Sequence, residues 1–368
     1  MRNLLRPAAI APFVPSLAAC ACILAACASN PAPEANPPGP VSTTAAANPP
    51  AATVAGAATQ APSPEEAKKA AEEAKKAEAQ KKLAQDFTDF DAASAKEKAR
   101  VAPMGKDIAA LTNKDYPNVD AAIDAVLKSA HRNPGNADRD GQRHPKDTLK
   151  FLGFKQNQTV LELDAGAGWY TELLAPLLFK KGKLTVTSGD PNGPRTEYRT
   201  LVGMRTKAVL DKAPEIGGKA TLLPLGKAPW DLGENTYDLV LGFRDFHNWE
   251  RSGELDARLA AVFKALKPGG VFGIEEHRAG AGGDAKTWAE KGYVPEEVVV
   301  ERCKAAGFEL AGKSDVNANP KDTKDYAEGV WTLPPTLTLG EKDKDKYKAI
   351  GESDRMTLKF TKPKAKKK

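Results

Sequence analysis

The side chains best suited to acid–base chemistry follow two short apolar segments of this sequence. His247 comes after the segment 237–242, and Glu276 and His277 come directly after the segment 270–275. An imidazole titrates close to neutral pH and can take a proton from a hydroxyl, carboxyl or amine group. We therefore predict that His247 or His277 is a general base and that Glu276 orients the imidazole. Alternatively, each histidine only satisfies a buried hydrogen-bond network.

A metal site built from these histidines with Glu or Asp is a weaker alternative. The sequence contains no His-x-x-x-His pair, which is the spacing that places two ligands on one helix face. Three of the four cysteines lie within the first 27 residues, so the folded part lacks the thiols for a zinc site or a disulfide framework. We predict no metal.

A second group of functional residues lies in the segment VLELDAGAGWY, residues 160–170. Glycine adopts backbone conformations closed to other residues and lets a ligand approach the main chain, as in the loops of nucleotide-binding sheets. Asp164 precedes the two glycines, and aspartate tolerates the left-handed conformation better than most residues. The segment therefore predicts a tight turn at a ligand site.

Short apolar strands that alternate with helices must position these residues. Such alternation predicts a mostly parallel sheet covered by helices on both faces. The last two strands have no regular helix between them, which predicts an antiparallel closing pair. We expect strands at 158–163, 184–187, 220–225, 237–242, 270–275, 308–316 and 356–361, and helices that include 119–127, 171–178, 254–266 and 295–306.

Two levels of resemblance follow from these motifs. The strand, glycine turn and helix at 160–174, followed by YDLVLGF and ALKPGGVFGI, resemble a class I S-adenosylmethionine-dependent methyltransferase. The string from His144-Pro145 through HNWERSG to VNANPKDTKDYAEGVWTLPPTLTLG and GESDRMTLKF resembles a family of exported bacterial predicted methyltransferases, over about residues 118–362. The resemblance implies an α/β, Rossmann-like, doubly wound sheet of seven mostly parallel strands with an antiparallel last strand.

The resemblance also implies S-adenosylmethionine as the cofactor. In the methyltransferase pattern acid-x-Gly-x-Gly-x-Gly, Glu162 supplies the acid and Asp164 replaces the first glycine. An acidic residue after the second strand binds the ribose hydroxyls, and Asp190 is the candidate. No acid follows the third strand, where Leu225 and Gly226 stand. The cofactor-binding residues implied are Glu162, Asp164, Gly166, Gly168, Tyr170 and Asp190. The other two histidines, His131 and His144, fall where related enzymes fold a lid over the cofactor.

The segment 317–351 is an insertion between the last two strands. A loop of this length in a compact domain usually has a function. If the strand before it is parallel to the first five, the insertion emerges on the active-site side. Tyr326, Trp331 and the run Leu333-Pro334-Pro335 would then form a lid or an apolar substrate wall. Alternatively, Trp331 only packs the loop down.

The N-terminal region resembles a bacterial lipoprotein signal. Residues 1–27 have a short basic start and an apolar stretch that ends in LAAC, and in lipoproteins that cysteine, here Cys27, is lipidated and becomes the new N-terminus. An uncleaved membrane anchor is the alternative, although Pro12 and Pro15 make a poor spanning helix. The resemblance implies an exported, periplasmic protein tethered to a bilayer, and Ala28 and Ser29 favour the outer membrane.

Three further segments complete the organisation. Residues 28–64 are rich in Ala and Pro and have almost no large apolar side chains, which predicts a disordered linker. Residues 65–100 repeat Glu three and four positions before Lys, which predicts an exposed helical stalk. The methyltransferase-like domain would span 101–362, and a basic tail 363–368.

Composition excludes some classes of function. The 54 basic and 48 acidic residues give a net charge of only +6. The overall charge therefore does not indicate a nucleic-acid-binding protein, for which a localised basic patch would be needed. The end of the fourth strand also lacks an Asn-Pro-Pro-aromatic motif like that of methyltransferases that act on the amino groups of bases and of glutamine. Nucleic-acid substrates are therefore disfavoured.

The function predicted is S-adenosylmethionine-dependent methyl transfer to a small or envelope-associated acceptor. Two alternatives stay open. The chain is a non-catalytic envelope lipoprotein that binds a ligand on a degenerate methyltransferase scaffold, or it is a hydrolase that uses the Glu and His groups with a metal.

Overall fold

The computed structural model describes residues 63–364. The predicted signal segment 1–27 with Cys27, the linker up to residue 62 and the tail residues 365–368 lie outside the described residues. Within residues 63–364 no helix has both the length and the apolar character needed to cross a bilayer.

Seven strands form a single sheet in the order β3-β2-β1-β4-β5-β7-β6. The pairs along β3-β2-β1-β4-β5 are parallel, and β7 is antiparallel to both of its neighbours. The predicted fold class, a mostly parallel seven-stranded sheet with an antiparallel last strand, is confirmed. The strands are β1 Thr159–Leu163, β2 Lys183–Ser188, β3 Ala220–Pro224, β4 Tyr237–Phe243, β5 Leu266–His277, β6 Glu309–Ser314 and β7 Arg355–Thr361.

Fourteen α-helices connect and flank the strands within the described residues. They are α1 Pro64–Val101, α2 Gly105–Asn113, α3 Val119–Leu127, α4 Pro134–Ala137, α5 Asp140–Arg143, α6 Pro145–Leu152, α7 Thr171–Leu178, α8 Tyr198–Leu210, α9 Pro214–Gly217, α10 Phe246–Ser252, α11 Leu255–Ala265, α12 Ala285–Glu290, α13 Glu296–Ala305 and α14 Lys344–Ile350.

The central strands are buried on both faces, which explains their continuous apolar runs. In β1, Val160 packs into a core that also contains side chains of α3, α6 and α7. Its neighbour Leu161 points to the opposite face, into a core shared with α11 and α13. Because successive side chains alternate between faces, the carboxyl ends of β1, β4 and β5 are held in fixed register at one edge of the sheet.

The segment 65–100, for which we expected a stalk, belongs to α1, and the C-terminal part of this helix packs on the domain. Phe87 is 2 % exposed, and the guanidinium of Arg195 lies 4.5 Å from the centre of its ring. Glu97 forms a 2.7 Å ion pair with the buried Lys212 at the end of α8. The helix therefore has an exposed N-terminal part and a packed C-terminal part.

The insertion leaves the sheet at the edge where β1, β4 and β5 end. Both β5 and β6 are antiparallel to β7, so β6 runs parallel to the first five strands. The expectation of no regular helix before the last strand is wrong, because α14 lies there, and a short 3-10 helix covers Gly329–Thr332. The antiparallel pairing of β6 with β7 is confirmed.

Candidate functional site

The glycine turn, residues 164–168, has the backbone conformation that the sequence predicts. Asp164, Gly166 and Gly168 have φ angles of 38°, 60° and 74°, so aspartate does occupy the left-handed region here. The Asp164 N–H donates to Thr187 Oγ1 in β2 at 2.8 Å, which fixes the turn against the next strand. A Cβ atom at Gly166 would meet only the Asp164 carbonyl oxygen, at 4.0 Å, so the turn presents open main chain.

Glu162 lies beneath this turn. Its carboxylate accepts a 2.7 Å hydrogen bond from Thr171 Oγ1 at the start of α7. Complete burial raises the pKa of Glu162 to about 8, although the bond from Thr171 acts to lower it. The residue therefore ties β1 to α7 and is largely protonated at neutral pH.

The carboxylate of Asp164 has two cationic partners. Arg199 Nη2 lies 3.3 Å away and Arg258 Nη1 lies 3.4 Å away. Arg199 also donates to the Leu225 carbonyl oxygen, at 2.7 Å from Nη2 and 3.0 Å from Nε. Its side chain thus bridges the ends of β1 and β3, across the crevice where a ligand of such a sheet lies. The side chain is 43 % exposed, so it can turn away into solvent.

Asp190 and Tyr170 have contrasting surroundings. The exposed Asp190 accepts a 2.9 Å hydrogen bond from the Asn192 N–H. Its position is fixed by α8, which approaches Gly189 so closely that a Cβ there would lie 1.9 Å from the Arg199 carbonyl oxygen. Tyr170 is buried, with its ring centre 4.5 Å from that of Phe243.

The residues present fit a bound S-adenosylmethionine. The open main chain at Gly166 offers a cradle, the exposed Asp190 carboxylate offers an acceptor for hydroxyl groups, and the exposed side of Arg199 gives it room to leave the crevice. A cavity of about 630 Å³ lies between α1 and α8 and also reaches Ala167 of this turn and Pro191, the residue after Asp190. The predicted cofactor residues Glu162, Asp164, Gly166, Gly168, Tyr170 and Asp190 do not themselves line this cavity.

The predicted acid–base residues do come together. His247 Nδ1 lies 3.0 Å from Glu276 Oε1, and the ring centres of His247 and His277 are 5.5 Å apart. His277 Nδ1 lies 2.5 Å from Ser353 Oγ. Neither Nε2 atom has a hydrogen-bond partner within residues 63–364. We call His247 and His277 the histidine pair. Their partners fix both rings through Nδ1 and leave both Nε2 atoms without a hydrogen-bond partner in the described residues.

The electrostatic surroundings keep His277 neutral. Burial, followed by the charges of His247, Arg244 and Arg355, lowers the pKa of His277 well below its ordinary value. A neutral imidazole can accept a proton.

Glu276 holds the local backbone as well as His247. Its Oε2 accepts from the Phe246 N–H at 2.6 Å, and its Oε1 accepts from the His277 N–H at 2.8 Å. Ligand-type atoms of His247, Glu276 and His277 lie within 4.8 Å of one another, a spacing that a metal ion can bridge. The carboxylate oxygens, however, are already engaged.

The remaining two histidines do not join this pair. His131 is buried, with Nδ1 at 2.8 Å from Ser129 Oγ and Nε2 at 3.2 Å from the Glu172 carbonyl oxygen. It is a core histidine with both nitrogens satisfied. His144 lies 3.4 Å from Asn317 Oδ1 and lines a separate cavity of about 300 Å³.

Sequence reasoning did not assign a role to a set of arginines at this edge. We call them the guanidinium cluster: Arg139, Arg143, Arg244 and Arg355. They pair with two buried acids, Glu275 and Glu352. The residues come from the polar segment before β1, the ends of β4 and β5, and the GESDR motif. The arginine-dense segment and that motif were the available signal, but only the fold shows that they meet.

The insertion reaches the histidine pair through Trp331. Its ring centre is 6.1 Å from that of His247. Tyr326 instead packs on Tyr347, with ring centres 5.9 Å apart, together with Leu333. The Trp331 ring thus lies beside the candidate base, and Tyr326 and Leu333 form the core of the insertion.

Comparisons with known proteins complete the description. No family model matches the chain, and no curated protein matches it at a significant level. Solved structures with a similar fold include the [4+2]-cyclase SpnF, with 16 % identity, a TM-score of 0.44, and coverage of 61 % of this chain and 81 % of that one.

Two others are methyltransferases by name. A SAM-dependent methyltransferase from Aquifex aeolicus has 16 % identity, a TM-score of 0.42, and coverage of 66 % of this chain and 97 % of that one. The N-methyltransferase NodS from Bradyrhizobium japonicum has 15 % identity, a TM-score of 0.38, and coverage of 63 % and 99 %. At these values the likenesses assign neither activity nor substrate to the chain.

Proposed function

We propose that this chain is an S-adenosylmethionine-dependent methyltransferase that acts on a small or envelope-associated acceptor. The observation that carries the proposal is the shared sheet edge. β1, which leads into the glycine turn, pairs with β4, and β4 pairs with β5, which ends at the histidine pair. Adjacent strands lie about 4.8 Å apart, so the turn and the bases are separated by roughly two strand spacings.

The glycine turn and Asp190 would hold the cofactor. S-adenosylmethionine, when bound, supplies a methyl group on a positively charged sulfur. The open main chain at Gly166 accommodates the ligand, and the exposed Asp190 carboxylate accepts hydrogen bonds from ribose hydroxyls. Arg199 has to swing out of the crevice, and Asp164 Oδ1 then becomes available to an amine while Arg258 remains paired with Oδ2. These residues bind and orient, and alignment of the two reactants is the main source of rate enhancement in such a transfer.

His247 would act as the general base. Its Nδ1 faces Glu276 and its Nε2 has no partner in the described chain, so the Nε2 atom takes the acceptor's proton and Glu276 stabilises the resulting imidazolium. His277, held neutral by the surrounding charges, offers a second hydrogen-bonding nitrogen to the acceptor. Trp331 covers the pair on one side and limits access of water.

Calorimetric titration with S-adenosylhomocysteine tests the proposal. The chain without its first 27 residues is compared with Asp190→Ala and with Asp345→Ala, a control that removes an acid from α14. Micromolar binding that is lost in Asp190→Ala and kept in Asp345→Ala supports the cofactor site. No binding by a folded wild-type chain refutes methyl transfer and favours a ligand-binding lipoprotein on a degenerate scaffold. The Arg199 side chain, which bridges the crevice in this structure, is the observation that favours that alternative.

A metal-dependent hydrolase is the other candidate, and the 4.8 Å grouping of His247, Glu276 and His277 favours it. The nearby guanidinium groups oppose a cation electrostatically. Thermal melting with zinc and with EDTA separates the two candidates. A melting temperature that zinc raises in the wild type, and does not raise in a His247→Ala variant, supports the metal site.

The cellular location belongs to the same proposal. We propose export and lipidation at Cys27, which place the domain on the periplasmic side of a bilayer. Metabolic labelling with a radioactive fatty acid tests this directly, since Cys27→Ala loses the label if Cys27 is the anchor. The label persists if the anchor is instead Cys20, which ends a similar Leu-Ala-Ala-Cys motif at residues 17–20.

A further inference from the structure

We propose that the guanidinium cluster is a clamp for a carboxylate of the methyl acceptor, so that the acceptor is an acid with a separate nucleophilic group. This inference rests on the proposed methyltransferase function and names its substrate class.

The guanidinium cluster and its acids carry more positive than negative charge. Four guanidinium groups share only two carboxylates, Glu275 and Glu352, which leaves an excess of two positive charges. Although burial acts to raise it, the charges of Arg143, Arg355 and Arg139 lower the pKa of Glu352 to about 2, so this acid is fully ionised and already counted. A partly buried positive excess is stabilised by an anion.

One further acid lies beside Arg244. Asp245 is half-buried, and desolvation together with the nearby Asp164 and Glu276 carboxylates raises its pKa well above its ordinary value. This shift disfavours the ionised form of Asp245, the form that would compensate a neighbouring positive charge.

Two of the arginines in the guanidinium cluster are much more exposed than the acids with which they pair. The acids lie behind the arginines, since the side chains of Glu275 and Glu352 are 0 % and 4 % exposed. The side chains of Arg139 and Arg244 are 23 % and 20 % exposed. Arg244 gives only Nη1 to Glu275, at 3.2 Å, and Arg139 Nη2 is a buried donor without a partner in the described chain. The carboxylates orient the guanidinium groups and leave donors free for a ligand.

Neighbouring groups extend the positive field. The cavity of about 300 Å³ is lined by Arg355, Lys321 and Lys348, with Glu352 as its acid. Ser353, also on its wall, contacts the His277 imidazole. This cavity and the cluster therefore flank the histidine pair.

The position of the clamp defines what it does. Arg244 ends β4 and His277 ends β5, and the charges of Arg244, Arg355 and Arg143 all act on His277. Guanidinium groups withdraw nucleophilic character from a bound carboxylate, so this carboxylate anchors the acceptor and is not the atom methylated. A hydroxyl or amine elsewhere on the acceptor faces His247. The partly exposed ring of Trp331, beside His247, suits an acceptor with an apolar or ring-bearing body.

Ligand-observed fluorine NMR with 4-fluorobenzoate tests the clamp. The neutral isostere 4-fluorobenzamide is the ligand control, and the chain without its first 27 residues is the protein. Arg244→Gln removes one clamp charge. Arg302→Gln, on the surface of α13, removes the same charge from a group paired with Glu250 and Asp256, and is the matched protein control. Arg139→Gln is a second, more exposed clamp variant in case Arg244→Gln does not fold.

We expect 4-fluorobenzoate to bind saturably and at least tenfold more tightly than 4-fluorobenzamide. We also expect the affinity for 4-fluorobenzoate to fall at least tenfold in Arg244→Gln or Arg139→Gln and to stay unchanged in Arg302→Gln. Equal affinities for acid and amide in the folded wild type overturn it.

A parallel titration compares S-adenosylhomocysteine with 5′-methylthioadenosine, which lacks the amino-acid carboxylate. A different outcome is that S-adenosylhomocysteine binds more tightly than 5′-methylthioadenosine while 4-fluorobenzoate and its amide bind equally. If Arg244→Gln then abolishes the difference between the two nucleosides, the clamp binds the cofactor's carboxylate and the acceptor assignment is overturned. Binding of benzoate without binding of either nucleoside refutes the methyltransferase proposal and leaves the clamp standing. The two failures are thus distinguishable.

Discussion

Replacement of Glu162 by glutamine is expected to stabilise the protein at neutral pH. The carboxyl is 4 % exposed, and its pKa is raised from 4.5 to about 8. The folded state therefore holds a proton that the unfolded state releases above pH 4.5, and stability falls as the pH rises from there towards 8. From pH 4.5 to 7, at 1.36 kcal/mol per unit, the loss is about 3 kcal/mol. Glutamine keeps an acceptor for Thr171 Oγ1 and has no proton to lose.

Urea denaturation at pH 5 and pH 7 measures this effect. The stability difference between Glu162→Gln and the wild type should grow by about 2.5 kcal/mol between the two pH values. Glu172→Gln is the matched control, since Glu172 is equally buried but forms ion pairs with Lys212 and Arg132. Its loss removes one of the two acids that pair with each of these buried cations, since Lys212 keeps Glu97 and Arg132 keeps Asp140, and it should destabilise the protein at both pH values. A Glu162→Gln variant that is less stable than the wild type at pH 7 would refute the reasoning, because Glu162 would then be ionised and paired in the folded state.

Three further outcomes are expected. Arg199→Ala should bind S-adenosylhomocysteine about fivefold tighter, because an exposed ion pair worth ~1 kcal/mol need not be broken; weaker binding by calorimetry would mean that Arg199 contacts the ligand. In an NMR titration the His277 imidazole should protonate below pH 6.5, and Arg244→Gln should raise that midpoint because it removes a neighbouring positive charge; a midpoint unchanged by the substitution would contradict this. Phe87→Ala should lower the unfolding free energy by about 3 kcal/mol, and a urea midpoint equal to that of the wild type would mean that α1 is a free stalk after all.

Local sequence patterns predicted the elements well. Apolar runs bounded by turn residues placed all seven strands, and α3 begins and ends at the residues expected from its helical spacing. The left-handed turn at Asp164 was also predictable, because that conformation depends on the residue itself and its immediate neighbours. The pairing of His247 with Glu276 was expected because the carboxyl ends of neighbouring parallel strands meet at one edge.

Long-range contacts were not predictable in the same way. The charged repeats of α1 indicated an exposed helix, yet Phe87, Glu97 and Val101 pack on the domain. A few side chains in the C-terminal part dock the helix without changing its local charge pattern. His131 looked like a site residue and is a core residue, since hydrogen-bond satisfaction depends on what the fold places beside it.

The sequence by itself determined the strand–helix alternation, the glycine turn and the acid–base residue types of this protein, because each depends on side chains within a few positions of one another. Only the tertiary structure decided that Arg139, Arg143, Arg244 and Arg355 share two acids, and that Arg199 bridges Asp164 and Leu225. Those contacts join residues up to 213 positions apart. Their energies depend on burial and distance in three dimensions, which no local pattern encodes.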